Sequence, residues 1–251
     1  MNDNKSISTS PALRYWAESR RPLTSLVFIS PLLVIYETGI LVLGPAAVRN
    51  GVDVWLRYLL EAVGFGQYFL LPGLTVCILL AWHHTTRQPW RLSGTTLYGM
   101  AVESLALAVC LRLVWEVQGT VAQAVATSWE TCGATSAATL SIASFSQKLI
   151  VYLGAGIYEE LLFRLILLSG MIGFFRWMSV GKKTAVTAAV ILTSLGFATA
   201  HYVGPYGEGW DAFSFLFRFL AGIFFSTLFL LRGFGIAAGT HAGYDILVGL
   251  P

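Results

Sequence analysis

Long apolar runs recur along almost the whole 251-residue chain, and they constrain its fold more than any other feature. A helix needs roughly 20 apolar residues to cross the ~30 Å hydrocarbon core of a bilayer. Only helices and closed barrels satisfy their backbone groups in lipid, and these runs lack the period-two alternation of barrel strands. They predict an all-α fold, a polytopic transmembrane helix bundle of about seven spans. The predicted spans are 23–43, 67–82, 95–115, 148–172, 184–203, 211–231 and 234–250.

Composition agrees with a membrane protein and excludes several other classes. The chain is 56% hydrophobic and 12% charged, whereas soluble domains are about 25% charged. The net charge of +3 comes without a basic cluster interleaved with aromatics, so nucleic acid is not an expected partner. Three scattered cysteines form neither a disulfide framework nor a CxxC metal pair. The lipid bilayer is the expected environment.

Three regions follow from this pattern. Residues 1–22 form a polar N-terminal segment, 23–144 contain N-terminal transmembrane helices and a polar connection, and 145–251 form a membrane core. The first apolar run has no convincing small-residue cleavage site after it, so we expect a retained span rather than a signal peptide. The polar connection between the third and fourth spans is either an interfacial helix or a long loop.

The distribution of basic residues predicts the orientation, because cytoplasmic loops are enriched in Lys and Arg. If the N-terminus is cytoplasmic, Arg49 and Arg57 lie outside and most other basic residues inside. An odd number of spans then places the C-terminus outside. We therefore expect a multi-pass integral membrane protein, in the plasma (inner) membrane if the source is bacterial. The inner group is Lys5, Arg14, Arg20, Arg21, Arg87, Arg91, Arg176, Lys182, Lys183 and Arg232.

Ionisable residues interrupt the fourth span, GAGIYEELLFRLILLSG. Glu160 and Arg164 are four residues apart and share one face of a helix, so they can pair and lower the cost of burying both. Glu159 lies about a third of a turn away and lacks that partner. A carboxylate inside a span is costly and usually marks a functional site. The alternative is that both acids form packing salt bridges.

Two further spans carry ionisable residues at helical spacing. The fifth ends with SLGFATAHYVGP, where Phe197 and His201 are four apart, and the seventh reads GFGIAAGTHAGYDILVGL, where His241 and Asp245 are four apart. A single intramembrane His is more often structural than catalytic. A carboxylate and two histidines that converge from three spans can instead activate a water molecule and stabilise an oxyanion. Small residues that permit close helix packing lie beside them at Gly235, Gly239 and Gly243.

These patterns, Glu-Glu-x-x-x-Arg at 159–164, Phe-x-x-x-His at 197–201 and His-x-x-x-Asp at 241–245, resemble the three motifs of the CPBP family. That family comprises the type II CaaX-prenyl endopeptidases and the bacterial Abi-type intramembrane proteases. The resemblance covers roughly residues 145–250. It implies an intramembrane endopeptidase whose partner is a membrane protein or peptide substrate, prenylated or not.

The resemblance also implies a role for each motif residue. Glu159 and His201 would activate the water, and His241 and Asp245 would form the oxyanion hole, whereas Glu160 and Arg164 would give structural support. The family commonly has Asn at the last position. An Asp donates a hydrogen bond only when it is protonated, so the alternative for Asp245 is to orient His241.

We expect no metal and no cofactor, because a glutamate-activated water needs none and the chain lacks HExxH. The alternative is zinc held by Glu159, His201 and His241 with an open fourth position.

Two functional classes other than a protease stay open. One is a proton-coupled transporter, although no inverted repeat is visible. The other is a non-catalytic scaffold or immunity protein. The oligomeric state is not predicted.

The remaining polar residues of the apolar runs have structural interpretations. Glu37, Glu103 and Arg112 are expected in structural pairs or at the membrane interface. Arg218 is expected to pack against an acid, with anchoring of a substrate carboxylate as the alternative. His83 is expected, like its neighbour His84, to be solvated in a short inner loop.

Overall fold

The structure is a computed structural model that describes residues 10–44, 47–66, 68–126, 142–204 and 207–249. This part of the chain is all-helical and contains no strand, which confirms the predicted fold class. Two π-helical stretches, Ala155–Glu159 and Leu161–Leu168, connect α6 to α7, so that 142–177 is one continuous helix. The helices are α1 (Pro11–Ser19), α2 (Pro22–Leu43), α3 (Gly51–Ala62), α4 (Leu70–Thr85), α5 (Gly94–Ala126), α6 (Ile142–Gly154), α7 (Ser169–Trp177), α8 (Lys182–Ala200), α9 (Ala212–Arg232) and α10 (Phe234–Gly249).

Four helices of the described residues are long and apolar enough to cross a membrane: α2, α5 over Gly94–Gln123, α8 and α9. The shorter apolar helix α4 has 16 residues. An integral membrane protein is therefore supported, and the total of about seven spans is consistent with these helices but stays a prediction. The polar connection lies partly in α5, which continues to Ala126, and partly in α6, which begins at Ile142; 127–141 are outside the described residues.

Two short helices, α1 and α3, were not predicted from the apolar runs. Ser10 caps α1 by accepting a hydrogen bond from the Leu13 N–H, and Pro11 occupies the first helical position, where its missing N–H costs nothing. Asn50 caps α3 by accepting from the Val52 N–H. Both helices are too short to span a bilayer. They escape hydropathy analysis because only one face of each is apolar.

Glycines on α10 allow this helix to lie close to its neighbours. A Cβ atom at Gly235 would lie 2.9 Å from the Ser25 Cα on α2, and one at Gly239 would lie 2.7 Å from the Phe28 ring. Gly243 faces Ala108 on α5. The predicted small-residue face is therefore the surface along which α10 packs, and close backbone approach gives this helix a well-defined position.

A buried ionic cluster fixes α3 against the bundle. Asp53 is fully buried and accepts hydrogen bonds from Tyr36 Oη at 2.8 Å, Arg49 Nη1 at 2.9 Å and Arg57 Nε at 2.7 Å. Arg57 also lies 3.4 Å from Glu37 Oε1 on α2. Glu37 thus takes part in a structural pair, as predicted.

Glu103 and Arg112 on α5 are also paired. Glu103 accepts from Arg232 Nε and Nη2 at 2.6 and 2.7 Å, and Arg112 lies 2.5 Å from Glu116. The prediction of a solvated loop at His83 was wrong. Because α4 continues to Thr85, the His83 ring is buried in that helix and packs edge-on against Trp90 at 4.6 Å, whereas His84 is exposed.

Candidate active site

The three motifs meet at one place in the bundle. Glu159 ends the first π-helical stretch, His201 directly follows α8, and His241 and Asp245 lie on α10. Glu159 Oε2 is 4.0 Å from His201 Nε2 and 3.8 Å from His241 Nε2, and His241 Nε2 is 3.7 Å from Asp245 Oδ2. The structure thus brings the four predicted catalytic residues together; their roles stay predictions.

The helix that carries the two adjacent glutamates is enclosed on all sides at this point, since every residue from 153 to 161 is buried. Glu159 and Glu160 are therefore both buried, with 6% and 0% of their surfaces exposed. The backbone around them is π-helical, with hydrogen bonds from residue i to i+5. Single π-helical turns are often found at functional sites.

Glu160 links Arg164 to His241. Its Oε1 atom lies 3.0 Å from Arg164 Nη1 and 2.7 Å from His241 Nδ1. The predicted pairing of Glu160 with Arg164 is confirmed, and the guanidinium also lies over the Phe197 ring, 4.3 Å from its centroid. Asp245 is too far from His241 for a hydrogen bond. The hydrogen-bond partner of the His241 ring is thus Glu160, and the roles given to Asp245 stay predictions.

Both imidazole rings are held in defined orientations. His201 Nδ1 lies 2.9 Å from the Phe197 carbonyl oxygen. Because a carbonyl oxygen only accepts hydrogen bonds, Nδ1 is the donor, and in the neutral ring Nε2 is the acceptor. The ring of His241 stacks on Phe225 at 4.5 Å with an interplanar angle of 15°. Each Nε2 atom consequently faces the Glu159 carboxylate.

Asn50 is a site residue that sequence reasoning missed. Its Nδ2 atom donates to Glu159 Oε1 at 2.8 Å across 109 residues of sequence. Glu159 therefore lacks the Arg164 partner, as predicted, but it does have a partner. No catalytic motif contains Asn50, and the available signal was local: an Asn at the start of an amphipathic helix is a typical N-cap.

Two cavities meet at Glu159. The larger has a volume of about 460 Å³ and is lined by the two site histidines, Asp245 and aromatic residues that include Trp115. The smaller, of about 270 Å³, lies beside α3 and is lined by Trp55. Glu159 and His201 line both of them. The Glu159 carboxylate can therefore be reached from two cavities.

Arg218 lines the larger cavity and is paired with an acid, as predicted. Its Nη2 atom lies 2.7 Å from each carboxylate oxygen of Glu208. The alternative role, anchoring a substrate carboxylate, would require Arg218 to exchange this partner.

The fit of zinc to the site can be judged from ligand separations. Tetrahedral zinc with bonds of about 2.0–2.1 Å holds its nitrogen and oxygen ligands roughly 3.3 Å apart. The separations from Glu159 Oε2 to the two Nε2 atoms are longer, 3.8 and 4.0 Å. In the described part of the chain, no group of three or more His, Cys, Asp or Glu side chains is arranged to hold a metal ion. The observed separations exceed those of a tetrahedral zinc site, and they leave room for a water hydrogen-bonded at about 2.8 Å.

The all-helical bundle, its apolar helices and its buried carboxylate and imidazole groups define the class as an integral membrane protein with a buried polar cluster. Residues 141–247 match the family described as Type II CAAX prenyl endopeptidase Rce1-like. The matched segment contains all three motifs, which confirms the resemblance to the CPBP proteases, and it supports a CAAX-type intramembrane protease at the level of the family. Neither the curated proteins nor the solved structures compared with the chain gave a match.

Proposed function

We propose that this protein is an intramembrane endopeptidase that hydrolyses a peptide bond through a water activated by Glu159. One observation carries the proposal: Glu159 Oε2 is buried without a hydrogen-bond partner and faces the Nε2 atoms of His201 and His241. A buried, unsatisfied acceptor is costly, and because Glu159 lines both cavities a bound water or substrate can complete this one.

In the first step a water bound between Glu159 and His201 attacks the scissile carbonyl. One proton of the water is transferred to Glu159 Oε2. The other stays on the water oxygen, and His201 Nε2 accepts a hydrogen bond from it. The new C–O bond forms as the carbonyl electron pair moves onto its oxygen. The two acceptor atoms are 4.0 Å apart, close enough for one water to contact both.

In the second step His241 stabilises the oxyanion, and Glu159 acts as an acid. With Nδ1 donating to Glu160, the imidazolium form of His241 donates from Nε2 to the oxyanion. As the tetrahedral intermediate collapses, the C–N bond breaks and Glu159 returns its proton to the leaving amine. This leaves a carboxylic acid and an amine, with all atoms of the water accounted for.

We propose that the enzyme works without a metal. The ligand separations described above support water more than zinc, and His241 already uses Nδ1 to contact Glu160. A carboxylate base with two oriented imidazoles supplies the proton transfer and the oxyanion donor that a zinc ion would otherwise help to provide.

The proposed substrate is a membrane-associated or C-terminal segment of a membrane protein or peptide. The larger cavity supports this class because aromatic side chains such as Trp115 and Phe217 line it beside the polar cluster. Such a wall suits apolar residues flanking a scissile bond. Prenylated and unprenylated segments are both within this class.

We also propose that the N-terminus is cytoplasmic and that the site opens toward the outer side. Arg49 lines the smaller cavity, at the end of the bundle that carries few basic residues. Arg20, which contacts the Leu230 carbonyl oxygen, and Arg232 lie at the opposite end. The positive-inside rule supports this orientation.

The decisive experiment is cleavage by the purified protein in detergent of a panel of membrane-anchored and prenylated peptide reporters. The wild type should cleave at least one reporter, and Glu159→Gln should be slower by about 10²–10⁴-fold, the usual contribution of a general base. Glu61→Gln, an exposed glutamate on α3, is the matched control and should retain full activity. If Glu159→Gln cleaves as fast as the wild type, the proposed mechanism is wrong.

A further inference from the structure

The N-terminal part of the chain, outside the segment that matches the protease family, contributes a side chain to the site. Asn50 is buried, with 8% of its surface exposed, and its amide donates to Glu159 Oε1. We propose that Asn50 is a positioning residue that holds the Glu159 carboxylate so that Oε2 faces the attacking water. This inference rests on the proposed function, because it assigns a task to the same carboxylate.

The two carboxylate oxygens of Glu159 have different surroundings. Oε1 accepts from Asn50 Nδ2 at 2.8 Å, whereas Oε2 has no hydrogen-bond partner and faces His201 and His241. A carboxylate held through one oxygen cannot rotate freely, so the other oxygen keeps a fixed direction. General-base catalysis needs this fixed geometry, because the accepting oxygen must lie within hydrogen-bond reach of the water.

The N-cap of α3 determines which end of the Asn50 amide reaches Glu159. Asn50 Oδ1 accepts from the Val52 N–H at 2.9 Å, and only an oxygen can do so. The NH₂ group must then point toward Glu159, where a donor is required. One side chain thus starts a helix and donates to the proposed catalytic base.

The surroundings of Asn50 are rigid enough to transmit this position. Asp53, one turn into α3, accepts from three donors, as described above. Tyr158, which precedes Glu159, donates to Glu37 at 2.5 Å, and Glu37 is paired with Arg57 of α3. Helix α3 is therefore connected by polar contacts to the same π-helical stretch that carries Glu159.

The test separates the two roles of Asn50. Asn50→Ser and Asn50→Thr keep an oxygen that can cap α3 but remove the amide donor, and neither adds a charge beside Glu159. If Asn50 positions Glu159, both variants should remain folded and lose about 10²-fold in kcat, with KM changed by less than about threefold. If Asn50 only caps the helix, both should cleave like the wild type, and that result would overturn the inference. Ser10→Asp, which exchanges the N-cap of α1, is the matched control and should leave kcat and KM unchanged.

Glu159→Gln in the same assay separates this inference from the proposed function. If Glu159→Gln is inactive and the Asn50 variants are fully active, the function stands and the positioning role fails. If Glu159→Gln is as active as the wild type, the proposed mechanism itself fails.

A second measurement does not depend on finding a substrate. The melting temperatures of Asn50→Ser, Glu159→Ala and the double variant form a cycle that reports whether the two side chains interact. A double-variant shift smaller than the sum of the single shifts supports the contact. Strictly additive shifts would overturn it.

Discussion

Glu160 Oε1 lies between His241 Nδ1, at 2.7 Å, and Arg164 Nη1, at 3.0 Å. The two adjacent glutamates of the fourth span therefore face different partners. Glu159 lines both cavities, whereas Glu160 lines neither and connects the buried guanidinium to the imidazole of α10. Substitution of Glu159 and substitution of Glu160 are therefore expected to have different effects on stability and activity.

Substitution of Glu160 is expected to reduce stability far more than substitution of Glu159. Glu160→Gln removes the charge that compensates the fully buried Arg164, and breaking a buried pair on one side costs about 3–5 kcal/mol. Thermal unfolding in detergent should show a large drop in melting temperature for Glu160→Gln and a small one for Glu159→Gln. Glu116→Gln, which breaks the exposed pair with Arg112, is the control and should change little. Equal shifts for the two interior glutamates would contradict the division of roles.

Gly156 controls the distance between the π-helical stretch and α10. A Cβ atom there would lie 2.7 Å from both the N and Cβ atoms of Ala242 and 2.8 Å from the Ala238 carbonyl oxygen. Because these are backbone and short side-chain atoms, Gly156→Ala must displace α10, which carries His241. We expect a lower melting temperature and loss of most activity.

The control for Gly156→Ala is Gly170→Ala, also on the continuous helix 142–177, where no atom lies within 4 Å of the new Cβ. Alanine has the higher helix propensity, so this variant should be neutral or slightly stabilising. Full activity in Gly156→Ala, measured as the initial rate of reporter cleavage, would show that α10 tolerates the displacement.

Hydropathy predicted the long helices well. The run at 23–43 differs from α2 by one residue at its start, and the run at 211–231 differs from α9 by one residue at each end. Hydropathy could not predict α3, whose apolar residues occupy only one face. It also could not predict the π-helical stretches, because a wider turn changes hydrogen bonding without changing the apolar composition.

Local spacing predicted part of the site. The four-residue separation of Glu160 and Arg164 correctly indicated a pair, since that separation holds along one helix. The contact of Glu160 with His241 spans 81 residues, and that of Asn50 with Glu159 spans 109. Such contacts depend on how helices pack, and periodicity within a single segment contains no information about them.

Asp245 offers a test of the proposed oxyanion hole. Its Oδ2 atom lies 3.7 Å from His241 Nε2, beside the position proposed for the oxyanion, but a carboxylate there can only accept hydrogen bonds. Asn has the same shape and an N–H donor, so Asp245→Asn should be at least as active as the wild type. Asp245→Ala, the matched comparison, should be slower than Asp245→Asn in the same initial-rate assay. If Asp245→Asn is inactive, the carboxylate itself is needed and the residue does not act as a donor to the oxyanion.

Removal of His241 tests the oxyanion donor itself. Loss of one such donor typically costs about 10²–10³-fold in kcat. His241→Ala should show this loss with little change in KM, because the donor acts on charge that develops only in the transition state. His84→Ala, an exposed histidine on α4, serves as the control and should retain the wild-type rate. A change in KM alone would indicate that His241 binds substrate rather than stabilising the oxyanion.

Metal removal distinguishes the proposed mechanism from the zinc alternative. Dialysis of the purified protein against a strong chelator should leave the initial rate within about twofold, because the separations of 3.8 and 4.0 Å around Glu159 Oε2 exceed the roughly 3.3 Å expected between zinc ligands. A chelator can also inhibit by other routes, so the informative step is restoration. If activity is lost on dialysis and zinc, but not magnesium, restores it, then Glu159, His201 and His241 must move closer together in the working enzyme to bind the metal. The water would in that case be activated by zinc, and Glu159 would be a ligand instead of the base.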